Sequence, residues 1–118
     1  VLSYALAKIA VGDSRVAIAT LDDARDRLSA ADYGLALALA GDAQRGVQML
    51  IQAVRFEEEV TPKLRQNLAY AYALSGNWRA ARVMAAEDVP AGQIDDRMVE
   101  WAATAGADQA QQRVASLL

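Results

Sequence analysis

Three glycines, each followed by a residue able to cap a helix, constrain this chain more than anything else in it: Gly12-Asp13, Gly41-Asp42 and Gly76-Asn77. Each pair ends an apolar helical run, from Tyr4 to Val11, Tyr33 to Ala40 and Leu68 to Ser75. Glycine takes the left-handed conformation that closes a helix at little cost. The Asp or Asn after it accepts from the free N–H groups of the next helix. Each pair is therefore read as a tight turn between two antiparallel helices. The alignment extends outward from the turns. Seven residues before each glycine stand Ala5, Gly34 and Ala69, and five after it stand Ala17, Gly46 and Ala81. All six are small, as expected where two helices of a hairpin cross with their backbones close together. Eight before stand Tyr4, Tyr33 and Leu68, and nine after stand Leu21, Leu50 and Ala85, filling the space beside the crossing. Twelve after stand Ala24, Ala53 and Asp88.

Further start and stop signals complete the division. Thr61-Pro62 is a helix start, with Thr as cap and Pro where its missing N–H is harmless. Ser29 with Asp32 three residues later resembles a capping box. Pro90-Ala91-Gly92 and Gly106-Ala107-Asp108 separate the last segments. The expected helices are 2–11, 14–27, 30–40, 43–57, 62–75, 78–87, 92–105 and 108–117. Alanine supplies 27 of the 118 residues, aromatics only 6%, and prolines number two. Alanine is the best helix former and allows close helix packing. No alternating β-branched run exists, so the fold class is all-α. We expect one domain over 1–118, with hairpins at about 2–27, 30–57 and 62–87 and C-terminal capping helices at about 92–117. Ile94, Met98 and Trp101 stand at helical spacing to cover the last hairpin.

Composition removes much chemistry. The chain has no His and no Cys, which excludes Ser-His-Asp triads, Cys nucleophiles, disulfides and the usual zinc ligand sets within it. We therefore expect no catalysis, no cofactor and no metal. A net charge of −3 and a pI near 4.8 disfavour nucleic acid as a partner. Near-continuous apolar stretches such as Leu35 to Ala40 are far short of the roughly 20 residues of a membrane span. The chain opens Val1-Leu2 without Met or a visible leader, and is read as a piece of a longer protein.

The turn glycines lie 29 and 35 residues apart. Their spacing and flanking pattern resemble the tetratricopeptide repeat (TPR), whose helical hairpins recur at about 34 residues. The third unit matches with Leu68-Ala69, Tyr72, Gly76 and Ala81, and the second with Tyr33-Gly34, Leu37, Gly41, Gly46 and Ala53. The first departs at Lys8, where an aromatic is usual, and the family's final Pro is missing from its place in every unit. A narrower resemblance runs from Pro62 to Trp78, carried by Arg65-Gln66-Asn67-Leu68-Ala69, and continues through Ala80-Ala81-Arg82 to Ala86-Glu87-Asp88-Val89-Pro90. It looks like the closing repeat of Flp/Tad pilus-assembly TPR proteins of the TadD type, which are bacterial lipoproteins. The resemblance implies a TPR-like α-solenoid of antiparallel helical hairpins. It also implies a scaffold or assembly factor in bacterial pilus, secretion or cell-envelope assembly, periplasmic or outer-membrane-associated. A cytoplasmic place is the alternative.

TPR arrays bind extended peptides or partner helices in a concave groove lined by the first helix of each hairpin. In this register the inward positions are Leu2, Leu6 and Ile9, then Ala31, Leu35 and Ala38, then Lys63, Gln66, Asn67, Tyr70 and Ala73. The partner-binding candidates are Lys63, Gln66, Asn67, Tyr70, Leu35 and Ala31. Asn67 occupies the place where many TPRs bond a ligand backbone, Lys63 suits a carboxylate, and Tyr70 can pack on a ligand side chain. Each has a plainer reading: Asn67 satisfying a neighbouring helix, Lys63 a solvated first-turn residue. Glu57-Glu58-Glu59 reads as a solvated helix end rather than an acidic patch. Asp22-Asp23 with Arg25, Asp26 and Arg27 reads as ion pairs within one helix, and Asp95-Asp96 as acids suiting a first helical turn. Trp78 and Trp101 fill gaps between helices, Trp101 being the better candidate for a partner surface. Two other classes stand beside a binding scaffold: an accessory domain of a larger cell-envelope enzyme, and a self-associating structural module.

Overall fold

The structure, a computed structural model, describes residues 2–56, 60–105 and 114. Its elements are α1 (Leu2–Ala10), α2 (Ser14–Asp23), a 3-10 turn Arg25–Arg27, α3 (Ala30–Leu39), α4 (Ala43–Phe56), α5 (Pro62–Leu74), α6 (Trp78–Ala85) and α7 (Ala91–Ala103). Among the described residues there is no strand. The helix expected at 108–117 lies outside the described residues, except that Val114 is helical and buried.

The three turns are built alike. Gly12, Gly41 and Gly76 have φ of +84°, +101° and +87°, and no other described residue has positive φ. After each, the next backbone N–H reaches back into the finished helix: Asp13 to the Lys8 carbonyl at 2.8 Å, Asp42 to Leu37 at 2.9 Å and Asn77 to Tyr72 at 2.9 Å. This is the Schellman closure, which satisfies carbonyls that the helix end leaves free. The same three side chains then turn forward. Asp13 accepts from Val16 N–H, Asp42 from Arg45 N–H and Asn77 from Ala80 N–H. Thr61 and Ser29 cap α5 and α3 in the same way.

The small residues meet at the crossings. A Cβ placed on Gly46 would lie 2.6 Å from the Gly34 carbonyl oxygen and 3.0 Å from the Ala38 nitrogen. A Cβ on Gly34 would lie 3.0 Å from the Gly46 oxygen and 2.8 Å from Leu50 Cγ. So α3 and α4 touch through backbone. Ala5, Ala17, Ala69 and Ala81, at the equivalent places of the other hairpins, are fully buried. Leu21 and Leu50 fill the space beside the crossings and are also fully buried.

The hairpins stack in order. Along one layer α1 contacts α3, α3 contacts α5 and α5 contacts α7, while α2, α4 and α6 each pack on their hairpin partner and on the next first helix. Tyr33, Leu21 and Leu37 form the core between the first two hairpins, and Leu50, Leu64 and Leu68 that between the second and third. The Cα radius of gyration is 13.4 Å, close to the roughly 13 Å of a compact domain of 100 residues.

Three local readings differ from the sequence expectation. Tyr4 is 52% exposed, whereas Tyr33 and Leu68 at the equivalent places are buried, because no described helix covers that side of α1. The second helix ends at Asp23 rather than Arg27. Ala24 is its last core-facing residue, and the charged Arg25-Asp26-Arg27 offer no apolar stripe to prolong it, so the chain tightens into a 3-10 turn. Asp95 lies beyond the first turn of α7 and pairs with Arg82 of α6, so its stabilisation is a cross-helix ion pair rather than the helix dipole.

The crossing gives a sharp expectation for urea unfolding. Gly46→Ala forces two backbones apart and costs about 1–3 kcal/mol. Gly92→Ala, where an added Cβ meets nothing within 4 Å, is neutral or slightly stabilising. Equal stability of the two variants would contradict backbone contact at the crossing.

Candidate functional site

The layer of first helices carries an apolar groove. Leu2 and Leu6 of α1, Leu35, Ala36 and Leu39 of α3, and Val114 surround a cavity of about 100 Å³, with Asp32 also in its lining. Spacing explains the lining. Leu2 and Leu6 are one helical step of four apart, as are Leu35 and Leu39, so each helix offers two aliphatic side chains on one side. Fully buried Ile9 and Ala17 belong to the same apolar cluster as Leu6, Leu35 and Leu39. Into this cluster comes a residue from the far end of the chain. Val114 is only 5% exposed and packs with Ile9, Leu39, Ala40 and Tyr70. The groove continues toward α7 through Tyr70, whose ring lies 5.2 Å from that of Trp101 at 59°. Arg97 sits over the other ring system of that pair, 5.8 Å from the Trp101 centroid.

The candidate residues fall in different places. Leu35 and Tyr70 join one apolar cluster, together with Leu6 and Ile9. Ala31 and Ala38 belong instead to the core between the second and third hairpins. Gln66 is engaged within the chain: its amide N–H₂ donates to the Ala85 carbonyl and to Asp88, and its oxygen accepts from Arg97 at 3.2 Å. Lys63 is exposed and Asn67 half-buried, and neither side chain has a hydrogen-bond partner among the described residues. Ala73 is buried. The spacing argument missed Leu39, although its place four residues after Leu35 was available to it. It missed Asp32 because that acid was assigned to capping. No local signal pointed to Val114, since its partners are about 40 to 105 positions away.

Two polar clusters fix the hairpins that shape the groove. In the first, the Tyr33 hydroxyl donates to Asp22 at 2.6 Å and Arg45 bonds both, with Arg25 5.4 Å above the tyrosine ring. Asp22 thus pairs across hairpins with a residue of α4, not within its own helix as the sequence suggested. The Arg45 guanidinium, then the Tyr33 hydroxyl, hold the Asp22 carboxyl below its ordinary range. Burial, then the hydrogen bond to Asp22, raise the Tyr33 phenol, and the bond to Asp22 raises Arg45. In the second cluster, Arg65 grips Asp88 with two nitrogens, at 2.9 and 2.6 Å, and donates to the Val60 carbonyl. Hydrogen bonding from Arg65 lowers the Asp88 carboxyl and raises the guanidinium in return. Asp88 stands where the other hairpins have Ala24 and Ala53, so this departure from the repeat serves the Arg65 fork.

A second apolar cleft lies between α6 and α7. Trp78, Met98, Val99 and Ala102 line it, with Arg79 and Arg82 beside them. Among the described residues no cluster of three or more ligating side chains could hold a metal ion, and no helix is long and apolar enough to cross a membrane.

A group with a lowered folded pKa stabilises the fold above its ordinary value, and that contribution is lost as pH falls through the folded value. The unaltered chain should therefore lose stability below about pH 4. Asp22→Asn should be less stable at pH 7 and lose less between pH 7 and pH 3, as read from thermal midpoints. Tyr33→Phe, which keeps the ring, should cost about 1 kcal/mol at pH 7. Identical acid slopes for Asp22→Asn and the parent chain would remove Asp22 from the account. No protein-family model, curated protein or solved structure matches this chain.

Proposed function

We propose that the chain is a TPR-like helical repeat module that binds a protein partner through the groove on its layer of first helices. The observation that carries the reading is the apolar lining of the groove: Leu2, Leu6, Leu35, Ala36, Leu39 and Val114 leave about 100 Å³ between them, and Leu2, Leu6 and Leu35 are only half-buried, which offers a place to an aliphatic side chain of a partner. Burying such a side chain gains on the order of 1.5–3 kcal/mol. Of the helices beside the groove, α3 is held by the Asp22–Tyr33–Arg45 cluster and α5 by the Arg65–Asp88 pair, so little ordering of these two is left for the binding step. Asp32 in the lining favours a partner carrying a cation beside its apolar residue. Lys63 and Asn67, with their polar groups facing no described partner, extend the same side of α5 as polar contacts.

The mode is helix-in-groove or extended-segment recognition, in which a few aliphatic anchors supply affinity and flanking polar groups supply register. Scaffolding in a bacterial envelope machine, with Tad-type pilus assembly as its sharpest form, is supported by the resemblance of residues 62–90 to that family. The absence of His and Cys favours binding over catalysis.

Selection of a random 12-residue peptide library on the full chain tests this reading. Enriched peptides should carry aliphatic residues at helical spacing with a neighbouring Lys or Arg. Their binding should fall at least tenfold in Leu35→Glu and in Leu2→Glu and be unchanged in Val83→Ser on α6. Enrichment insensitive to both groove variants would overturn it.

A further inference from the structure

We infer that the outer side of α1 is a docking surface for a helical hairpin of a partner protein, one whose second helix carries a carboxylate among aliphatic residues. The surface lies apart from the groove and does not depend on that reading. Counted back from the turn glycines, Tyr4, Ala7, Lys8 and Val11 of α1 match Tyr33, Ala36, Leu37 and Ala40 of α3. Their spacing places all four along one side of a helix, opposite Leu2, Leu6 and Ile9. In α3 that side is sealed by the preceding hairpin. Tyr33, Ala36 and Leu37 share a core with Ala5 and Leu21, and Ala40 shares one with Ile9 and Ala17. In α5 the matching Leu68 and Ala71 share a core with Leu50 and Ala53 of α4. In α1 the same side is open: Tyr4 and Ala7 are exposed, Lys8 is half-buried, and Val11 is 76% exposed. A repeat that closes an array carries a polar outer face, and an exposed Tyr, Ala and Val do not make one.

The two closed interfaces show how the covering helix is matched to what it covers. Ten residues after its turn glycine, α2 carries Asp22 and α4 carries Ile51. Asp22 accepts from the Tyr33 hydroxyl at 2.6 Å, whereas Ile51 packs against the cluster that holds Leu68. A phenol enclosed between helices needs an acceptor, and a leucine needs none. Tyr4 stands at the place of Tyr33, with a hydroxyl that has no hydrogen-bond partner among the described residues. Lys8 adds a cation, its Nζ 5.6 Å from the centre of the Tyr4 ring. The face therefore selects a helix with Asp or Glu at the place of Asp22. That carboxylate accepts from Tyr4 and pairs with Lys8, while aliphatic neighbours cover Ala7 and Val11. A second copy does not meet the need. Two α1 faces brought together set Lys8 against Lys8, the α2 that carries Asp22 is already packed on α3, and α6 has Ala86 at that place.

The probe for the partner's hairpin is a copy of residues 1–29, which carries Asp22, joined ahead of the full chain so that the 29-residue spacing of Gly12 and Gly41 is repeated. The tether presents it at an effective concentration on the order of mM. Urea unfolding of the fusion should show one transition, its midpoint about 0.5 M above that of the parent chain. Tyr4→Phe in the full-chain part should lower the midpoint of the fusion and leave that of the parent chain unchanged. Asp22→Ala in the added copy should remove most of that difference. The gain should survive Leu35→Glu, which separates this surface from the groove. An unchanged midpoint on adding the hairpin, an equal effect of Tyr4→Phe in fusion and parent, or a gain lost with Leu35→Glu would each overturn the inference. Sedimentation of the parent chain as a dimer that Tyr4→Glu dissociates would also overturn it, by giving the face to a second copy.

Discussion

The backbone contact between Gly34 and Gly46 sets the geometry on which the rest depends. With no side chain at either place, α3 and α4 lie as close as their main chains permit. Larger side chains must then go to the flanks of the crossing. On one flank Leu50 closes the core with the next hairpin. On the other, α3 turns Leu35 and Leu39 toward α1, and the groove is the result. Ala5 with Ala17 and Ala69 with Ala81 apply the same rule with one methyl each. The molecule is stabilised by many small burials rather than a few large ones, which is how a domain with 6% aromatic residues fills a core.

What was legible in the sequence was local. A glycine that must take positive φ, an Asp that caps three residues ahead and a pair of small residues at fixed offsets all act within a dozen positions, and the structure shows each of them at Gly12, Gly41 and Gly76. What was not legible depends on how hairpins stack. Asp22 has cations near it in sequence, yet its partner is Arg45 on another helix. Ala31 and Leu35 sit one turn apart on α3, yet stacking sends one to the core between hairpins and the other to the groove. Gln66 sat in a motif read for binding, but the approach of α7 through Arg97 occupies its amide oxygen.

Polar residues divide accordingly between two duties. Arg65, Gln66 and Asp88 tie α5 to the end of α6 and to α7, and Asp22, Tyr33 and Arg45 tie α2, α3 and α4. Neither set lines the groove. The groove is thereby lined mainly by aliphatic side chains, apart from the polar contacts that position the scaffold. A leucine of that lining can be exchanged without touching the ion pairs that hold the hairpins together.

Val99, 70% exposed on α7, has one more consequence. It stands seven residues before Gly106, the place where the three closed hairpins carry Ala5, Gly34 and Ala69. A branched side chain there is larger than the alanine or glycine that each closed hairpin carries at its crossing. The pairing of small residues that lets α3 and α4 touch through backbone thus has no small counterpart at that place on α7, and a crossing as close as that of Gly34 and Gly46 is not open to it.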